Sequence, residues 1–119
     1  MKKNILPFLL LVLSFSSCYD KAKITIQNKV HNAILEQVSW DKHSVAISLL
    51  PGEGNTITVY EEPNYRFPKT SIVKFYLKRE GNQVYLETKY SFTLDADDNL
   101  LIVISDTTQV VNPLLRSDE

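Results

Sequence analysis

A chain of 119 residues with 13 basic and 14 acidic side chains, 44% hydrophobic residues and one cysteine has room for one compact domain. It excludes an internal disulfide and a cysteine-based metal site, so stability must come from apolar packing. Lys2 and Lys3 belong to a segment read below as removed, which leaves 11 basic against 14 acidic residues and a net charge of −3; phosphate neutralisation demands the opposite sign, and nucleic acid is set aside as a partner.

The first element is not part of the fold. Lys2-Lys3, an apolar run from Ile5 to Phe15 and the small residues Ser16, Ser17 and Cys18 have the layout of a secretory signal peptide. The run is about a dozen residues, short of the roughly 20 that span a bilayer, and Pro7 would weaken a permanent helix there. Phe15-Ser16-Ser17-Cys18 resembles a lipobox, with Phe15 departing from the usual aliphatic residue three places before the cysteine. Residues 1–17 are therefore expected to be cleaved, Cys18 to carry the lipid, residues 18–22 to form a tether and residues 23–119 to fold. Lipidation also removes the reactive odd thiol from an oxidising compartment. Acyl chains contribute about 0.8 kcal/mol per buried methylene, enough in pairs or triples to hold a domain on a membrane. Tyr19 follows the cysteine where enteric inner-membrane lipoproteins carry aspartate, which by analogy directs the protein to the outer membrane, on its periplasmic side or at the cell surface.

From Lys23 the pattern has period two, the spacing of half-buried strands. Ile24 and Ile26 share one face of a first strand. A second is expected over 33–40, with Ile34, Val38 and Trp40 in phase and Glu36 interrupting them; a helix competes there. A third, over 43–50, places Val45, Ile47 and Leu49 inward and ends at the turn Pro51-Gly52-Glu53-Gly54. Thr56–Tyr60 follows with Ile57 and Val59 inward, then the longest loop, Glu61–Lys69, which carries Pro63 and Pro68. Val73, Phe75 and Leu77 pair as a hairpin with Val84, Leu86 and Thr88 across Glu80-Gly81-Asn82-Gln83. Tyr90, Phe92 and Leu94 continue the alternation, Asp95–Asn99 is an acidic turn, and Leu100–Ile104 is apolar on both faces, which predicts a central strand. The tail with Val110, Val111, Leu114 and Leu115 either completes the domain or donates a strand to a neighbour. Seven to eight short strands predict an all-β sandwich, immunoglobulin-like or transthyretin-like.

Leu49-Leu50-Pro51-Gly52-Glu53, the strand Val73–Lys78 and the stretch Leu100–Thr107 taken together resemble a small lipoprotein family of Bacteroidetes. The resemblance implies a β-sandwich and an envelope location; the family has no established activity, so it implies no catalytic residue.

Several groups of residues are weighed as sites. Asp95, Asp97 and Asn99 match the first three ligand places of a calcium loop, but Leu100 stands where such a loop needs glycine and Asp106 where it needs a bidentate glutamate; a solvated turn is the plainer reading. His31 and His43 lie near strand ends, and His43 with Asp41 and Trp40 supplies at most one corner of a site. Ser44, Ser48 and Ser71 alternate along strands and form no Gly-x-Ser-x-Gly elbow. Trp40 is expected in the core. Tyr65-Arg66-Phe67, framed by Pro63 and Pro68, is the best contact loop, because rigid aromatic and arginine side chains dominate binding hot spots, although Phe67 could instead plug the sandwich end. Tyr76 could extend an aromatic surface between Lys74 and Lys78, which otherwise solvate an exposed sheet face. The expectation is a non-catalytic, cofactor-free accessory domain, held to a membrane by its lipid and contacting another envelope protein. A glycan-binding module is the alternative. A hydrolase using Glu61 and Glu62 ranks lower, since adjacent carboxylates point apart in an extended chain.

Overall fold

The computed structural model describes residues 19–115, all-β and without a helix among them; Cys18 and the segment expected to be cleaved lie outside these residues. Ten strands follow in order: β1 (Lys21–Lys29), β2 (Ile34–Trp40), β3 (His43–Leu49), β4 (Gly54–Tyr60), β5 (Lys69–Ser71), β6 (Val73–Arg79), β7 (Asn82–Thr88), β8 (Phe92–Leu94), β9 (Asn99–Ser105) and β10 (Val110–Val111). They form one sheet of order β4-β1-β9, one of order β10-β7-β6-β2-β3, and a pair β5-β8. Two more strands form than the eight expected segments. β5 begins at Lys69, the last residue of the segment read as loop, and β10 shows the tail pairing with β7, Val110 against Thr88. Lys21 and Ala22, expected in the tether, already pair with Tyr60 and Val59.

The two larger sheets contribute their inner faces to one core. Ile24, Ile26, Val59, Ile102 and Ile104 come from the first; Leu35, Val38, Trp40, Val73 and Phe75 come from the second. Two expected inward positions are corrected. Ile34 is half-buried while Leu35 is fully buried, and Ile47 is 83% exposed. The cause is a bulge in β2. Gln37 takes a positive φ of 51°, and the β2–β6 register shifts between Glu36 and Ser39, so inward parity changes from Leu35 to Val38 and Trp40. β3 tracks the change: Ile47 is carried outward beside Gln37. A second shift, between Val38 and Ser39, then leaves Val45 and Ala46 both buried.

β9 is also corrected. It is an edge strand of its sheet and not a central one, with Leu101 and Val103 exposed on the outer face. β1 and β9 run parallel. The Lys23 N–H donates to the Asp98 carbonyl at 2.8 Å, which in a parallel ladder turns the even-numbered β9 backbone groups toward β1 and the odd-numbered ones away. The Ser105 N–H, one of those facing away, donates to the Thr108 hydroxyl at 2.8 Å.

The turns behave as their residues dictate. Gly52 adopts φ 87° after Pro51, and Glu80-Gly81, with φ of 53° and 81°, make the two-residue hairpin connection of β6 and β7 that requires positive φ at both places.

Strand directions give the domain two ends. β1 enters at the near end, where the Glu61 N–H donates to the Asp20 carbonyl and the Asp97 N–H to the Lys21 carbonyl. The 41–42 turn, the 61–68 loop and residues 89–91 gather there. At the far end, Asn28 Nδ2 donates to the carbonyls of Ala33 and Leu49, and the His31 N–H donates to Asp106 Oδ1.

Candidate functional site

The long loop is built around a carboxylate. β4 delivers Glu61 into the near end, where it is 8% exposed. Its Oε1 accepts the Asp20 N–H at 2.9 Å and its Oε2 the Phe67 N–H at 2.8 Å. These two backbone donors, aided by Arg66, hold the Glu61 carboxyl below its ordinary pKa against the opposing effect of burial. Because the Glu61 N–H also bonds the Asp20 carbonyl, the residue fastens the start of the domain by both backbone and side chain. Arg66 Nε lies 3.6 Å from Glu61 Oε1, and its guanidinium sits 5.2 Å from the Tyr19 ring centre. The residues next to Cys18 are thus clasped by the loop.

The proposed aromatic contact loop requires correction. Tyr65 is 4% exposed and part of the core, because its hydroxyl donates to Asp41 Oδ2 at 2.7 Å and its ring is enclosed. His43 meets it edge-on at 5.1 Å, while Lys42 and Lys69 place their ammonium groups 4.6 and 4.9 Å from the ring centre. Burial and the Asp41 carboxylate push the phenol pKa well above its usual range. Phe67 packs half-buried against the core. Only Arg66 of the three faces solvent.

His43 stacks on Trp40 with ring centres 6.5 Å apart. Its Nε2 is buried without a hydrogen-bond partner, and desolvation lowers its pKa against the pull of Asp41. His31 lies at the opposite end, so the two imidazoles do not converge. Glu61 and Glu62 are divided, one buried and one exposed. In the acidic turn, Asp95 Oδ1 accepts the Ala96 N–H and Asp98 Oδ2 the Asp95 N–H, Asp97 takes φ 63° and Asn99 opens β9. Among the described residues no three histidine, cysteine, aspartate or glutamate side chains are arranged to hold a metal ion.

The sequence reading missed the burial of Asn28 and the Tyr85 partner of Tyr76. Asn28 is fully buried and satisfied by three hydrogen bonds, two donated as above and one accepted from the Val30 N–H. Its inward parity with Ile24 and Ile26 was the available signal. On the outer face of β6 and β7, Tyr76 and Tyr85 lie with ring centres 5.2 Å apart, beside a cleft walled by Val84, Leu114 and Leu115. Burial and the Glu87 carboxylate raise the Tyr85 phenol to about 12.

Comparison of the chain with protein-family models, with curated proteins and with solved structures finds no match.

Proposed function

We propose that this chain is a lipid-anchored envelope protein, at the outer membrane, whose sandwich domain is a non-catalytic binding or accessory module for another envelope protein. The observation that supports it is the clasp: Glu61 and Arg66 hold Asp20 and Tyr19, the residues that directly follow the cysteine of the lipobox-like segment. Besides stabilising the first strand, such a grip would give a domain tethered at Cys18 a defined posture. Of the two sandwich arrangements, the transthyretin-like one is favoured, because β1 is flanked by β4 and β9 while an immunoglobulin domain keeps its first two strands in one sheet. With Tyr65 in the core and Arg66 engaged with Glu61 and Tyr19, the loop keeps little surface for a protein contact, and the partner's site is sought elsewhere on the domain.

Intact mass of the protein from envelope fractions tests the anchor. A native species beginning at Cys18 with diacylglyceryl mass, absent from Cys18→Ser, is expected; an unlipidated soluble species sinks the proposal. Crosslinking of the protein in envelope fractions should capture a partner protein, and capture of none sinks the binding role.

A second reading, a glycan-binding module, is favoured by the Tyr76–Tyr85 pair. Adjacent tyrosine faces suit the apolar face of a sugar ring, and Gln83 and Glu36, joined by a 2.9 Å hydrogen bond, offer polar partners. Tyr76→Ala should abolish retention on a glycan array if this reading holds.

A further inference from the structure

We infer that the near end of the domain is a bilayer-contact face, which seats the protein on the membrane surface through interfacial tyrosines and their cation partners. The inference rests on the anchor proposed above and deepens it by assigning the surface that the lipid brings into contact.

Three observations converge on this end. First, the clasp holds Tyr19 at the near end, and a lipid on the preceding residue, about 3.8 Å away along the chain, would reach the membrane from this end. Second, the exposed aromatic side chains of the described residues are Tyr19, Tyr60 and Tyr90, at 51%, 60% and 59%, and all three lie here. Tyr60 pairs with Lys21 at the start of β1. The Tyr90 carbonyl accepts the Thr88 hydroxyl, which in turn accepts the N–H of Val73, the partner of Trp40. Tyrosine is the residue that water–membrane interfaces enrich, since its ring is apolar and its hydroxyl is wet. Third, each of the cations Arg66, Lys89, Lys42 and Lys69 lies against a tyrosine of this end, the first two on Tyr19 and Tyr90 and the others on Tyr65. Cationic groups held over aromatic rings in this way are suited to the headgroup layer.

The charge balance selects the kind of bilayer. Asp41 and Glu61 are occupied by internal hydrogen bonds, but Glu62 and the 95–98 turn add exposed carboxylates, so the face has no single-sign field. Mixed charge fits a zwitterionic phosphatidylethanolamine surface and gives little preference for anionic lipid.

Hydrogen exchange read by mass spectrometry tests this on the lipidated protein in phosphatidylethanolamine nanodiscs. Relative to a Tyr60→Ser, Tyr90→Ser double variant in the same discs, amides of residues 60–67 and 89–92 should exchange at least about threefold more slowly in the native protein. The far-end turns at 31–33 and 80–82 should not differ. Both substituted residues are exposed, so the variant keeps its melting temperature. Equal exchange in the two proteins, or slowing confined to the far end, overturns the inference. Should the mass measurement find no lipid, coupling the Cys18 thiol of the full chain to a maleimide-bearing lipid restores the geometry. Failure of the anchor and failure of the face are thereby read separately.

Discussion

Asn28 shows how a polar side chain inside the core can be an asset. It stands where the alternation of Ile24 and Ile26 calls for another apolar residue, yet every polar atom of its amide is used, and it ties the end of β1 to the 33 and 49 carbonyls. Removing it strands buried backbone groups, so Asn28→Ala should lower unfolding free energy by about 2–3 kcal/mol in urea denaturation. Asn28→Asp should not restore it, because a carboxylate lacks the two donors. Two other side chains link stability to pH. His43 has its pKa lowered from an ordinary 6.5, so the unfolded chain binds the proton more readily, and stability present above pH 6.5 is lost as pH falls through the folded value. Glu61, lowered from 4.5, contributes stability above pH 4.5 that is lost on further acidification. The urea midpoint should therefore decline in two steps; His43→Phe should remove the upper one and Glu61→Gln flatten the lower. Legibility at this scale was uneven. Trp40 announced its burial by hydrophobicity, whereas Tyr65 read as a surface residue, because the Asp41 that accepts its hydroxyl lies 24 positions away.

At the level of elements, period two located eight of the strands and failed where the period itself breaks. Glu36 was an anomaly in a face drawn through Ile34, Val38 and Trp40; the positive φ at Gln37 resolves it by changing parity in mid-strand. Nothing about a glutamine announces such a bulge, since glycine or asparagine is the usual occupant of that conformation. Gln37→Val, with a β-branched side chain in the left-handed region, should cost roughly 1–2 kcal/mol. Deleting Gln37 should cost less than its place in mid-strand suggests, because Leu35, Val38 and Trp40 then alternate regularly and stay on one face. β9 misled differently: apolar residues on both faces suggested a central position, but Leu101 and Val103 are simply exposed. Its backbone polarity yields a sharp contrast. Leu101→Pro removes only an outward N–H and should cost no more than about 1 kcal/mol. Ile102→Pro removes a bond to β1 and should cost about 3 kcal/mol or more. Equal effects would refute the assignment of the ladder.

For the whole molecule, an all-β body was legible from alternation and turn residues alone, while sheet membership and strand order were not. Periodicity reports which residues face inward but carries no information on which strand lies beside which. The clasp was invisible for the same reason, since Asp20 and Glu61 meet across 41 positions. One pairing has a consequence for the life of the chain before it folds. β1, the first strand to be made, is the middle strand of its sheet and finds its parallel neighbour only in β9. A ribosome must therefore deliver some hundred residues before that sheet can close, and contacts so distant in sequence form slowly. A chain ending at Asp98 should lack cooperative thermal unfolding by circular dichroism; a sharp transition would contradict this. The late closure keeps an emerging polypeptide open until almost all of it has been made.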